Sequence, residues 1–155
     1  MPRRDTATVR PARHDDADAL WPLARDFATS FQPRRDAFDV ALPALLGRDD
    51  TLLAVVPEPA TDVPLGYLLA STHLTFLANG PVCWVEEVMV DPAHRGRGLG
   101  AALMDHAERW AVSRGAAYVS LASRRAGPFY EALGYDGSAT FYRRTVPSAK
   151  RSVAP

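Results

Sequence analysis

The sequence has one cysteine, one lysine, no excess of either charge and no long apolar run, and each shortage removes a class of function. The lone thiol, Cys83 in the strand-like run VCWVEEVMV, has no partner for a disulfide and no neighbouring ligands for a metal, so it reads as a small buried hydrophobe. Lys+Arg and Asp+Glu each number 18, so no global field draws the chain to nucleic acid or to an anionic membrane. Basic groups therefore act locally. No stretch approaches the roughly 20 apolar residues of a membrane span, and the opening MPRRDTATVR lacks the apolar core of a signal peptide. A cytoplasmic chain, with neither nucleic acid nor membrane among its partners, is the expectation. Its 155 residues suit one domain with a sizeable core.

Periodicity then orders the elements. TATVRPA reads as a short strand, and Asp15 or Asp16 can cap a helix running to about Thr29 that carries Leu20, Leu23, Ala24 and Phe27 on one side. PRRDAFDVALPALLGRDD suggests a weaker second helix interrupted by Pro43. TLLAVV and VPLGYLLASTHLTFL follow as strands across the turn PEPATD, and VCWVEEVMV is a third strand after the turn ANGP. From Leu99, the apolar positions Leu103, Ala107, Trp110 and Ala111 recur at helical spacing, with Gly115 as the stop. AAYVSLA is the next strand. Gly127 and Pro128 open a short helix, PFYEAL, which Gly134 ends; ATFYRRTV is expected as a last strand and PSAKRSVAP as a disordered tail.

The most informative stretch is VDPAHRGRGLGAALMDHAERWA, Val90 to Ala111, where a strand turns directly into a helix through glycines at positions 96, 98 and 100. Such a turn aims unpaired backbone N–H groups and the positive end of the helix dipole at one point. Without Cβ atoms, the glycines let phosphates approach that backbone, and Arg95 and Arg97 can add charge-assisted hydrogen bonds. A pyrophosphate is the natural ligand. A nucleotide P-loop is disfavoured because it needs Lys followed by Ser or Thr, and the single lysine is Lys150. A dinucleotide fingerprint is disfavoured because the third glycine comes one residue early and AAYVSLA ends without an acid for a ribose.

The segment RGRGLG resembles the R/QxxGxG/A pyrophosphate loop of the GNAT superfamily of N-acetyltransferases, with Arg95, Gly98 and Gly100 in the defining places. The resemblance extends to the preceding strand VEEVMVDP, Val85 to Pro92, and to FYEALGY, Phe129 to Tyr135, and so covers most of Val82 to Tyr135. It implies a single α/β (α+β) domain over residues 1–146, built on a central, mostly antiparallel mixed sheet flanked by helices, with a disordered tail over 147–155. It further implies acetyl-CoA as cofactor, held by the loop residues Arg95, Gly96, Arg97, Gly98, Leu99, Gly100 and Ala101 and by the main chain of Val88, Met89 and Val90. Ser123 and Tyr130 complete the implied cofactor contacts, although Ser123 departs from the pattern, since many members carry Asn three residues before the alanine matched by Ala126.

Acetyl transfer from a thioester to an amine needs a neutral amine, a polarised carbonyl and a proton for the leaving thiolate. Glu86 and Glu87 are adjacent acids in an otherwise apolar strand, and regular alternation would send them to opposite faces, Glu86 with Val88 and Val90. Glu86 is the preferred base and Glu87 the alternative; a salt-bridged surface carboxylate would explain either. The resemblance places the acid at Tyr130, whose phenol, of pKa about 10, can protonate a thiolate while staying neutral itself. From the residues alone, packing beside Phe129 and Leu133 would explain that ring. Main-chain N–H groups around Val88 to Val90 are the implied carbonyl donors. The four histidines form no ligand cluster, and no metal is expected.

The resemblance puts the acceptor site on the first two helices, roughly Leu20 to Arg48. Asp26, Asp36 and Asp39 with Phe27, Phe31 and Phe38 could present acidic and aromatic groups to a cationic amine, although an ordinary amphipathic helix pair explains them equally well. A small primary amine is the first expectation, handled by a monomer or homodimer. A protein N-terminus or lysine is the alternative acceptor, and a non-catalytic acyl-CoA-binding module the alternative outside enzymology.

Overall fold

The computed structural model describes residues 7–147. Five strands form one sheet in the order β1-β2-β3-β4-β5: β1 (Arg10–Pro11), β2 (Thr51–Pro57), β3 (Pro64–Thr75), β4 (Gly80–Val90) and β5 (Val119–Leu121). Neighbours are antiparallel up to β4, and β4–β5 is parallel, as the crossover through helix α3 (Leu99–Ser113) requires. The single domain, with a mostly antiparallel mixed sheet between helices, is the architecture expected from the sequence.

Each sheet face packs its own apolar cluster. One side joins Leu52, Ala54, Leu68, Cys83 and Val85 to Leu103, Met104 and Ala107 of α3. The other joins Val55, Tyr67 and Met89 to Leu20 and Leu23 of α1 (Ala17–Phe27) and Leu42 of α2 (Arg35–Leu46). A salt bridge fixes where α1 starts. Asp16 is buried, accepts the Arg13 N–H at 2.7 Å and pairs with Arg10 at 2.8 Å, so its carboxylate ties β1 to the turn ahead of the helix.

Three expectations need correction. Helix α2 runs through Pro43 instead of stopping there. Pro43 and Asp39, one turn earlier, are both exposed, so water can satisfy the carbonyl that the proline leaves without a donor. Of the first strand expected over TATVRPA, Thr6 lies outside the described residues and only Arg10 and Pro11 are strand, with the Ala12 N–H still bonded to Leu53 O at 2.9 Å. The last strand, ATFYRRTV, is not formed: residues 138–147 have no regular structure. Strand propensity is a weak preference that context overrides, and this segment makes side-chain contacts instead. Phe141 stacks on Trp84 with centroids 6.0 Å apart, and Arg143 donates to Ser30 Oγ at 3.1 Å. The tail expected over 147–155 lies, beyond Pro147, outside the described residues.

Candidate active site

In a regular strand, side chains three apart face opposite ways, yet Val85 and Val88 both pack on the α3 cluster. A β-bulge resolves this: Leu69 pairs with Glu87 and Ala70 with Val85, which leaves Glu86 as the extra residue. Both acids therefore point to the side of α1 and α2. This corrects the alternation argument, because Glu86 does not share a face with Val88 and Val90. Glu86 is exposed and accepts the Trp84 Nε1–H at 2.9 Å. Glu87 is partly buried on the same face as Met89 and accepts the Tyr67 hydroxyl at 2.8 Å. Burial pushes the Glu87 carboxyl up from its ordinary value; the Tyr67 hydrogen bond opposes that shift and the charge of Glu86 adds to it.

The bulge coincides with a parting of strands. β5 pairs with Cys83, Trp84 and Val85 of β4 and goes no further, so from Glu86 to Val90 that edge has no strand beside it among the described residues. Backbone groups of Val88, Met89 and Val90 thus border an opening between the two sheet faces. Helix α4 (Gly127–Ala132) stands on the α3 side and brings Tyr130 against the α3 cluster, with its ring 4.9 Å from Phe129 and 6.0 Å from Tyr135. The hydroxyl has no hydrogen-bond partner among the described residues, whereas that of Tyr135 donates to Glu108 at 2.8 Å. Burial raises the pKa of Tyr130, which keeps its proton in place.

Beyond Val90, a short 3-10 turn (Pro92–His94) leads to the glycines. Gly96 and Gly98 have φ of +77° and +79°, and a Cβ at either would meet nothing within 4 Å. They are glycines for backbone shape, and the space above them is open. Gly100 differs, since its Cβ would lie 3.2 Å from Phe129 Cζ; it is a glycine so that α4 can pack on the start of α3. Gly98 is the N-cap of α3 and has no side chain to cap it, so the N–H groups of Leu99, Gly100 and Ala101 precede the first ladder bond, Ala102 N–H to Gly98 O.

The two loop arginines do different things. Arg95 folds back, its Nε–H donating to Val90 O at 3.2 Å, and so ties the loop to β4. Arg97 is exposed, with no ion pair among the described residues, and is the guanidinium left for an anion. Ser123 is spent on its own backbone, accepting the Ala126 N–H at 3.0 Å ahead of α4. Sequence reading missed Tyr67 and the contacts of Trp84, although the phase change from Cys83 and Val85 to Val88 and Val90 across two acids was a legible sign of the bulge.

Comparison with known proteins agrees with this geometry. The acetyltransferase (GNAT) family matches residues 17–135. An uncharacterised N-acetyltransferase of Methanocaldococcus jannaschii is 32% identical over 140 residues, which cover 84% of this chain; the chain spans 61% of that relative's length. Among solved structures, the glucosamine-6-phosphate N-acetyltransferase of Arabidopsis thaliana superposes with a TM-score of 0.79 at 20% identity, covering 90% of this chain and 98% of the other. A putative acetyltransferase of Agrobacterium tumefaciens gives 0.78 at 21% identity, covering 90% and 99%. These two likenesses speak for the fold alone. With the family matched across most of the described residues, the chain belongs to the GNAT acetyltransferase family.

Proposed function

We propose that the protein transfers an acetyl group from acetyl-CoA to a primary amine, first of all that of a small molecule, by direct attack. The observation that carries this is the opening where β4 leaves β5 at Val85, because it has the carboxylates of the bulge on one side, Tyr130 on the other and the glycine loop beyond Val90. The pyrophosphate fits the open, positive-φ turn at Gly96 and Gly98, where the N–H groups from Arg97 to Ala101 and the Arg97 guanidinium would hold it. The backbone of Val88, Met89 and Val90 would receive the thioester arm, as an added strand would be received, and its N–H groups would polarise the carbonyl. Ser123, already bonded to Ala126, contributes less.

When bound, acetyl-CoA supplies the acetyl group as a thioester. An N–C bond would form as the C–S bond breaks: the nitrogen would give one proton to a bulge carboxylate before attack, Tyr130 would give its proton to the departing sulfur, and the second nitrogen proton, lost after attack, would restore the Tyr130 phenol. The preference for Glu86 as base rests on its sharing a face with Val88 and Val90 and on the family resemblance, and the bulge removes the first ground. With both on the acceptor side, the pair stands together as the candidate base. Trp84, bonded to Glu86, and Phe141, stacked on Trp84, add aromatic surface near these acids, which suits a cationic amine.

The test has two arms. Coenzyme A should raise the melting temperature, since a ligand that prefers the folded state stabilises it by mass action. Acetyl-CoA should release free thiol in the presence of at least one member of a panel of amines, amino acids and peptides. Turnover of peptides alone would move the acceptor to a protein N-terminus or lysine. Stabilisation without turnover would leave an acyl-CoA-binding module, and no stabilisation at millimolar coenzyme A would defeat the reading altogether.

A further inference from the structure

Two carboxylates face the acceptor side, and their surroundings differ. Glu86 is exposed and bonded to an indole N–H at the open rim. Glu87 is drawn inward by a buried partner: Tyr67 is 3% exposed, sits opposite Met89 in the β3–β4 register and packs against Leu20, Leu23 and Leu42. A tyrosine hydroxyl in such an apolar cluster must find an acceptor, and the Glu87 carboxylate at 2.8 Å is that acceptor.

We propose that Tyr67 is a positioning residue for the transfer, holding Glu87 on the acceptor side of the bulge so that Glu87 takes the proton from the acceptor ammonium while Glu86 attracts the cation at the rim. This rests on the acetyltransferase reading. The proton leaves the ammonium nitrogen for a carboxylate oxygen of Glu87 and then passes to solvent through the exposed rim. No other reactant is required.

The groups around Glu87 support the division. β3 offers Tyr67, and β4 offers Glu86. The faces of α1 and α2 packed here are apolar, with Leu20, Leu23, Ala24, Phe38 and Leu42. Their basic groups are engaged elsewhere, Arg25 with Asp26 and Arg35 with Asp18 and Asp39. From the loop, Arg95 reaches Met89 Sδ at 3.7 Å, and from the C-terminal segment Arg143 lies over Phe31. Glu87 is thus left with a hydrogen-bond donor and one like charge. A base is most effective when its pKa lies near the working pH, and burial moves Glu87 in that direction. Tyr67 itself is pushed far up by burial and by the charge of Glu87, so it donates without ionising.

Tyr67→Phe keeps the ring in its cluster and removes only the hydroxyl. Two measurements on the full chain are needed: a carboxyl-carbon NMR titration of Glu87 without substrate, and the pH dependence of kcat with acetyl-CoA and a primary amine from the panel, both saturating. In Tyr67→Phe, the Glu87 titration and the acidic limb of kcat should move together to higher pH by about one unit, the scale of a lost hydrogen bond to a charged acceptor. Glu87→Gln should remove that limb, and adding Tyr67→Phe to it should do no more. The inference is overturned if Tyr67→Phe lowers stability or kcat without moving the limb, or if the limb is lost in Glu86→Gln and kept in Glu87→Gln. Either result leaves acetyl transfer standing, whereas turnover of no amine by the parent protein defeats both readings.

Discussion

Replacing Gly98 by alanine should weaken coenzyme A binding far more than it weakens the fold. Gly98 has φ +79° and ψ +10°, where an L-residue costs about 1–2 kcal/mol. The reduced freedom of alanine in the unfolded chain returns about 0.4–1 kcal/mol, leaving a loss near 1 kcal/mol and a fall in melting temperature of about 2–4 °C. The new methyl group meets nothing within 4 Å in the free protein, so sterics add nothing to that cost. It would stand where the pyrophosphate is expected, and affinity should drop at least tenfold, about 1.4 kcal/mol. Gly100→Ala is the control. At the second position of α3 the gain in propensity is at most about 0.8–1.0 kcal/mol, offset by a Cβ 3.2 Å from the half-exposed ring of Phe129, so stability should hardly change. In a Phe129→Ala background the opposing contact is gone and whatever gain the helix position gives should appear. Thermal melts with and without coenzyme A, together with calorimetric titration, read both quantities. Wild-type affinity in Gly98→Ala would refute the assignment of the loop.

Tyr130→Phe should reduce turnover by roughly ten- to a thousandfold, with coenzyme A affinity unchanged in calorimetry; equal turnover would return the ring to packing beside Phe129. Asp16→Ala should cost about 1.5–3 kcal/mol in urea denaturation at neutral pH, because it removes the charge-assisted bonds to Arg10 and to the Arg13 N–H while Asp62 still pairs with Arg10. Burial disfavours the charge on Asp16, but the bonds from Arg10 and Arg13 outweigh it and hold the carboxyl below its ordinary value. Its contribution is therefore full above about pH 4 and is lost as pH falls through the folded pKa, so wild type and variant should converge in acid; a constant difference would contradict the linkage. Leu103→Ala, at 0% exposure, should cost about 2–5 kcal/mol by the same denaturation assay, and a loss under 1 kcal/mol would mean the α3 cluster collapses around the gap.

Local rules carried the reading where one residue decides the geometry. The glycine turn, the apolar stripe of α3 and the Gly-Pro start of α4 were legible because positive φ, helical period and N1 proline are each written in one or a few side chains. What failed depended on neighbours. Pro43 stays in a helix whose Asp39 carbonyl, one turn earlier, belongs to an exposed residue, and ATFYRRTV spends its aromatic and basic side chains on Trp84, Ser30 and Phe31 rather than on a strand edge. Tyr67 was invisible as a site residue because its importance is a contact across two strands, twenty residues from Glu87 in sequence. The facing of the two acids was misjudged for a related reason: period-two reasoning holds only while the register does.

The bulge makes chain length, rather than residue type, the variable that sets how many charges meet the acceptor. Without Glu86 the strand would run Val85, Glu87, Val88 in unbroken alternation, with Leu69 still opposite Glu87 and Ala70 still opposite Val85. Every apolar side chain would keep its face, and the opening would present one acid in place of two. The extra residue is a removable insert in an otherwise ordinary ladder, so the scaffold can add or drop a carboxylate at its reactive edge without repacking either layer.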